Sequence, residues 1–134
     1  MRSILRRFVK PVYAHCDLFC GVYDPVQARV EAQSVLNAMN KYQESDDEVF
    51  RTRCIIIKEQ RAQLVKEHLW VLWTDYFKPE HAEKMPELHK TFWLATKAAG
   101  EAKKSVDPKV GEELMEHIAK VEKLFAASKA DHAH

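Results

Sequence analysis

The spacing of apolar residues predicts four amphipathic helices, the first beginning near residue 24. Apolar positions recur three or four residues apart, as they do on one face of an α-helix. The pair Asp24-Pro25 marks the start of the first helix, because aspartate is a good N-cap and proline suits the first helical position. The predicted apolar positions of this helix are Ala28, Ala32, Val35, Met39 and Tyr42.

The same spacing predicts three more helices. The second runs from Phe50 to about Trp73, with the stripe Phe50, Cys54, Ile57, Leu64 and Val71. The third opens at Pro86, with the stripe Leu88, Phe92, Ala95, Ala99 and Ala102. The fourth follows Asp107-Pro108, which repeats the capping pattern, with the stripe Val110, Leu114, Ile118, Val121 and Phe125. A turn is expected over residues 43–47 and an irregular segment over Tyr76–Pro86.

Four helices joined by short connections predict an all-α fold, an antiparallel four-helix bundle over about residues 24–129. The composition agrees, with only 3 glycines and 5 prolines in 134 residues, a length that suits one domain. No run of about 18 apolar residues occurs, so no membrane-spanning helix is expected.

The first fourteen residues form a separate basic piece. They contain Arg2, Arg6, Arg7 and Lys10 but no acidic residue, and they end at the small residue Ala14. The apolar stretch of a secretory signal is missing, so we predict a pro-segment, residues 1–14, that is removed to leave residues 15–134. Four of the 21 basic residues would go with it, leaving 17 against 20 acidic residues. That balance does not suit a nucleic-acid binder, and a cytoplasmic location is expected.

The three cysteines divide into a close pair and a single residue. Cys16 and Cys20 lie in a non-helical stretch, where two thiolates four residues apart can close on one metal ion. The same spacing also allows two ordinary thiols or a disulfide. Cys54 falls inside a helical pattern and is expected to be a buried structural thiol.

Two charged residues interrupt the apolar faces of the first two helices. Arg61 falls on the stripe of the second helix, and Glu31 lies one helical turn from apolar residues of the first. Because an unpaired buried charge is very costly, we expect Glu31 and Arg61 to meet beneath the loop that precedes the first helix. The alternative is that both are boundary residues whose charged ends reach water.

The run His15–Pro25, which reads HCDLFCGVYDP, resembles the N-terminal hook of the nickel superoxide dismutases, whose pattern is HCDLPCGVYDP. Ten of the eleven residues match. We call residues 15–23 the hook. The likeness continues nearly to residue 125 through the segments Gln27–Arg29, Glu31–Ala32, Ile57–Ala62, Val71–Trp73, Asp75–Pro79 and Pro86–His89.

The resemblance implies a superoxide dismutase with one nickel ion per subunit, cycling between Ni(II) and Ni(III). His15 would become the N-terminus after processing and bind nickel through its amine and its imidazole. Cys16 would contribute its backbone amide nitrogen and its thiolate, and Cys20 a second thiolate. Nitrogen and sulfur donors in a plane suit nickel(II).

The resemblance also implies roles around the metal. Tyr23 would stand at its open face and gate small anions, and Asp17 belongs to the hook. Glu31 and Arg61 would orient the His15 imidazole. Two residues would lie close to the site in the assembled protein, Tyr76 and Lys78.

The family resemblance further implies a homohexamer, superoxide as substrate and a processing peptidase as partner, with neither nucleic acid nor membrane involved. Phe19 departs from the family pattern, which has proline at that position. Proline donates no ligand there, so the ligand set is intact while the backbone preference of the hook changes. The alternative is a metal-binding or thiol-redox helical bundle whose hook is disabled by Phe19.

Overall fold

Residues 22–131, the part of the chain that this computed structural model describes, contain five α-helices and one π-helical turn. The hook up to residue 21 and the pro-segment lie outside the described residues. The elements are α1 (Val26–Glu44), α2 (Glu48–Val71), a π turn (Leu72–Tyr76), α3 (Pro79–Lys84), α4 (Leu88–Lys104) and α5 (Pro108–Asp131). The predicted all-α four-helix architecture is therefore confirmed for α1, α2, α4 and α5.

The four long helices form a closed ring around one core. Helix α1 packs on α2 and α5, and α4 packs on the same two helices. Three-residue connections at 45–47 and 105–107 reverse the chain, so the helices that they join run antiparallel. Alanines let the helices approach closely, and six of them have no exposed surface: Ala28, Ala32, Ala62, Ala95, Ala99 and Ala102.

Aspartates supply the missing hydrogen bonds at three helix starts. The Asp107 carboxylate accepts from the backbone nitrogen of Lys109 at 3.0 Å, and the Asp47 carboxylate accepts from that of Val49 at 3.3 Å. Helix α1 begins at Val26, whose nitrogen donates to the Asp24 carboxylate at 2.8 Å. Each such bond satisfies an amide that the helix cannot, and is worth about 1 kcal/mol.

The predicted apolar stripe of α2 is wrong. Within α2, the core receives Cys54, Lys58, Ala62, Val65 and Leu69, so of the predicted residues only Cys54 is buried. Ile57, by contrast, is 43% exposed. The prediction chose the wrong face because Lys58 occupies a core position on the buried face of α2. The neighbouring face therefore has the more apolar sequence pattern.

Lys58 reaches across the core to the end of α4. Its Nζ donates to the carbonyl oxygens of Ala102 at 2.9 Å and Lys103 at 2.6 Å, which are acceptors left over in the last turn of that helix. The residue is only 2% exposed. Burial away from water lowers the pKa of Lys58, and the nearby Glu59 carboxylate raises it by less. The lysine thus joins α2 to α4 through a hydrogen-bonded cap.

The segment Tyr76–Pro86, predicted to be irregular, is largely ordered into helical turns. The backbone nitrogen of Phe77 donates to the carbonyl of Leu72 at 3.0 Å, five residues back, which defines a π turn. Pro79 then occupies the first position of α3, where its missing N–H costs nothing. Leu72 and Phe77 are both buried, so the core holds this segment in place.

Among residues 22–131, no helix is long and apolar enough to cross a membrane.

Candidate metal centre

Two tyrosines meet at the end of the bundle where α1 begins and α5 ends. Tyr23 lies three residues before Val26, the first residue of α1, and Tyr76 closes the π turn. Their ring centroids are 5.6 Å apart, with the ring planes inclined at 49°. Tyr76 also contacts the rings of Phe77 at 4.9 Å and Phe125 at 4.8 Å, and it stacks on His81 at 5.8 Å. These contacts hold the Tyr76 ring from several sides.

The hydroxyl of Tyr76 is tied to α5 by a buried serine. Tyr76 Oη lies 2.7 Å from Ser128 Oγ, and Ser128 has no exposed surface. The Ser128 hydroxyl also donates to the carbonyl of Phe125 at 2.6 Å. Sequence reasoning missed Ser128, although a signal was present: it continues the apolar stripe of α5 three residues after Phe125.

Lys78 stands two residues beyond Tyr76 with an exposed side chain. Its backbone nitrogen donates to Nδ1 of His81 at 2.9 Å, and this bond fixes the start of α3. A second lysine lies close by, because Lys129 Nζ is 5.2 Å from the centroid of the Tyr76 ring. Two positive side chains therefore flank the tyrosine end of the bundle.

Glu31 and Arg61 meet as the sequence predicted. Arg61 Nη1 donates to Glu31 Oε2 at 3.2 Å and to Oε1 at 3.3 Å. The Glu31 side chain is 15% exposed, whereas that of Arg61 is 43% exposed. The arginine reaches water because the face of α2 that carries it borders the core. Arg61 therefore pairs with Glu31 and also lies at the boundary of the core, where its side chain reaches water.

Glu31 also lines an open groove beside the first two turns of α1. The groove has a volume of about 440 Å³, and its walls come from α1 and α2: Val26, Gln27, Val30, Glu31, Leu64 and His68. Its first lining residue, Val26, lies three residues after the end of the hook at Tyr23. The partly buried side chain of Glu31 therefore borders a groove close in sequence to the hook.

The predicted nickel ligands His15, Cys16 and Cys20 lie outside the described residues, as do Asp17 and Phe19. Within residues 22–131, no three or more histidine, cysteine, aspartate or glutamate side chains are grouped to hold a metal ion. Cys54 is a free buried thiol on α2, as predicted. The donors of the hook, two thiols and an imidazole, fit nickel by their chemistry.

Comparison with known proteins identifies the family. The family described as nickel-containing superoxide dismutase matches residues 10–129. The nickel superoxide dismutase of Streptomyces coelicolor is 52% identical over 118 residues, which cover 88% of this chain and 90% of that protein. The same identity and coverage hold for the enzyme of Streptomyces seoulensis.

Solved structures of nickel superoxide dismutase share the fold. The native structure superposes with a TM-score of 0.84 at 52% identity, covering 86% of this chain and 99% of that one. A structure with the nickel ligation of the oxidised state gives the same TM-score, with coverage of 87% and 99%. The chain therefore belongs to the family of nickel-containing superoxide dismutases, as an oxidoreductase that acts on superoxide with a nickel cofactor.

Proposed function

We propose that the chain dismutes superoxide at one nickel ion per subunit, held by the hook after residues 1–14 are removed. The ligands would be the amine and imidazole of His15, the amide nitrogen and thiolate of Cys16, and the thiolate of Cys20. Nickel bound there would supply one-electron cycling between Ni(II) and Ni(III), so that one superoxide is oxidised to dioxygen and the next is reduced to hydrogen peroxide.

The Glu31–Arg61 ion pair is the observation that carries this proposal. Glu31 is mostly buried at the edge of the groove beside α1, and Arg61 holds its carboxylate at 3.2 Å. A carboxylate fixed in this way can accept a hydrogen bond from an imidazole N–H and so orient a histidine that binds a metal. Cys20 is three residues from Tyr23, so covalent geometry alone keeps their Cα atoms within about 11 Å.

The remaining residues act on the substrate and its protons. Tyr23 would border the open face of the metal, where its packing on Tyr76 keeps the ring in one place. Lys78 and Lys129 would attract the superoxide anion towards this end of a chain that is otherwise net negative without its pro-segment. Tyr23 or solvent could supply protons for hydrogen peroxide, and Asp17 would lie within the hook.

Glutamine in place of Glu31 tests the ion pair. Glu31→Gln keeps the size of the side chain but removes the negative charge that holds Arg61 and that strengthens a hydrogen bond accepted from the imidazole N–H. We expect the superoxide dismutation rate to fall about 10-fold or more, because partners that orient a metal-bound histidine typically contribute 10–100-fold. Stopped-flow decay of superoxide, with nickel content measured by mass spectrometry on the same samples, reports the effect.

The matched control is Glu101→Gln, which breaks an exposed ion pair with Lys104 of 3.3 Å on α4. Surface pairs of this kind contribute little, so the control is expected to keep the parent rate. Equal rates for Glu31→Gln and Glu101→Gln would contradict the orienting role.

The homohexamer is a further part of the proposal, supported by apolar side chains on the surface of one chain. Ile55, Ile56 and Ile57 are 42–50% exposed in one run of α2. Trp70, Trp73 and Trp93 are 40–60% exposed, so these tryptophans do not belong to the core. Exposed apolar groups of this size mark protein interfaces.

A charge placed within the isoleucine run is expected to weaken assembly. Ile56→Glu puts a carboxylate where a subunit contact would desolvate it, at a cost of several kcal/mol. We expect a lower mass in light scattering at micromolar concentration with unchanged helix content in circular dichroism. Ala119→Glu, on the exposed face of α5, is the control and should assemble like the parent. Parent-like assembly of Ile56→Glu would exclude this run from the interface.

Processing by a peptidase and a cytoplasmic location complete the proposal. Both are supported by the basic, acid-free residues 1–14, which end at Ala14 and lack the apolar stretch of a secretory signal. A bundle without enzymatic activity, the alternative raised by Phe19, is disfavoured by the membership of the chain in an enzyme family.

A further inference from the structure

The hydrogen bond between Tyr76 and Ser128 has a defined direction. A serine hydroxyl carries one proton, and a carbonyl oxygen can only accept. Ser128 gives its proton to the carbonyl of Phe125 at 2.6 Å. The 2.7 Å contact between Ser128 Oγ and Tyr76 Oη must therefore use the proton of the tyrosine. Tyr76 donates to Ser128, and not the reverse.

The surroundings keep Tyr76 in this arrangement. Ser128 has no exposed surface, so water does not replace the tyrosine as its partner. The Tyr76 ring is stacked on His81 with an interplanar angle of 13° and packs against Phe125 at 4.8 Å. With the ring held and its only proton used, the Tyr76 oxygen has nothing but lone pairs for any other partner.

We propose that Ser128 is a positioning residue that turns the Tyr76 hydroxyl proton towards α5 and leaves its oxygen as a hydrogen-bond acceptor at the tyrosine end of the bundle. This inference rests on the proposed function for the placement of Tyr76 beside the nickel site. An anion such as superoxide needs donors, whereas an acceptor favours species that carry protons, namely water and hydrogen peroxide. Tyr23 and Tyr76 therefore have different tasks: Tyr76 holds proton-bearing species and does not donate to superoxide.

A double-mutant cycle on the nickel-loaded protein tests whether Ser128 acts through the Tyr76 hydroxyl. Ser128→Ala is expected to slow superoxide loss about fivefold in the parent, the typical value of one hydrogen bond. In the Tyr76→Phe background, where no hydroxyl remains, the same change is expected to have no effect. Two independent effects that multiply would overturn the proposal.

The tyrosine Fermi doublet in the Raman spectrum gives a readout that is independent of activity, because its intensity ratio differs between donating and accepting hydroxyls. The difference spectrum between parent and Ser128→Ala should show loss of a donating tyrosine. That difference should vanish in the Tyr76→Phe background. An unchanged spectrum in Ser128→Ala would overturn the proposal whatever the rates.

Two further variants complete the design. Ser128→Thr keeps the hydroxyl and should therefore show the rate and the spectrum of the parent, unlike Ser128→Ala. Ser34→Ala removes a serine that donates to the carbonyl of Val30 at 3.1 Å on α1, and should behave like the parent. Suppose that the spectrum changes in Ser128→Ala while Tyr76→Phe leaves the rate unaltered. In that case the proposed placement of Tyr76 beside the nickel site is wrong, and the proposed effect of Ser128 on catalysis is overturned.

Discussion

Serine in place of Cys16 is expected to abolish both nickel binding and superoxide dismutation. Cys16 would contribute a thiolate, and serine at neutral pH offers a protonated, much weaker oxygen donor in its place. Soft sulfur ligands also make oxidation of nickel(II) easier, which the reaction requires. The loss should exceed the 100-fold that orienting partners alone can cost. Nickel per chain by mass spectrometry and the rate of superoxide decay measure it.

Cys54→Ser is the matched control, because Cys54 is not one of the proposed nickel ligands. It is a free thiol on α2 that is buried and 6% exposed. It is expected to keep nickel at one ion per chain. Phe19→Pro restores the family pattern without changing a donor and should keep it as well. Parent-like nickel content in Cys16→Ser would refute the assignment of this ligand.

A chain that keeps residues 1–14 is expected to be inactive, and a chain that starts at His15 active. With Ala14 attached, the nitrogen of His15 is part of a peptide bond and no longer a basic amine, so one ligand is lost. Intact mass confirms the N-terminus, and nickel content and superoxide decay compare the two forms. The full-length chain should hold far less nickel than the processed one.

A chain that starts at Ala14 separates two explanations for this switch. It carries one extra residue but none of the basic residues Arg2, Arg6, Arg7 and Lys10. If the missing amine is the cause, one residue is enough to block the site. Full activity of the chain that starts at Ala14 would contradict that chemistry and assign the block to the bulk or charge of the longer segment.

Three of the four long helices could be predicted closely from the sequence. The stripe of α4 is buried at all five predicted positions, and that of α1 at four of five. Aspartates at the helix starts mark the boundaries through a local hydrogen bond, which depends on neighbouring residues alone. Helix α2 failed because Lys58 is buried by a long-range contact with the end of α4, and no local pattern contains that partner.

The candidate site was predictable where polar residues interrupt apolar faces. Glu31 and Arg61 were found in this way, and Ser128 has the same signal at the end of α5. Tyr76 and Lys78 came from the family resemblance, because an exposed or half-buried residue after a helix carries no pattern of its own. His81 is 6% exposed in a six-residue helix that begins with Pro79, and no sequence pattern predicted its burial.

The π turn Leu72–Tyr76 has a consequence for how the tyrosine end of the bundle is encoded. Such a turn holds one residue more than an α-helix would use, and each residue turns the helix by about 100°. Removing a single residue here would swing Tyr76 away from both Tyr23 and Ser128 while leaving every neighbouring side chain chemically the same. The number of residues in the π turn therefore determines where Tyr76 lies. An insertion or deletion there would be more damaging than a conservative replacement.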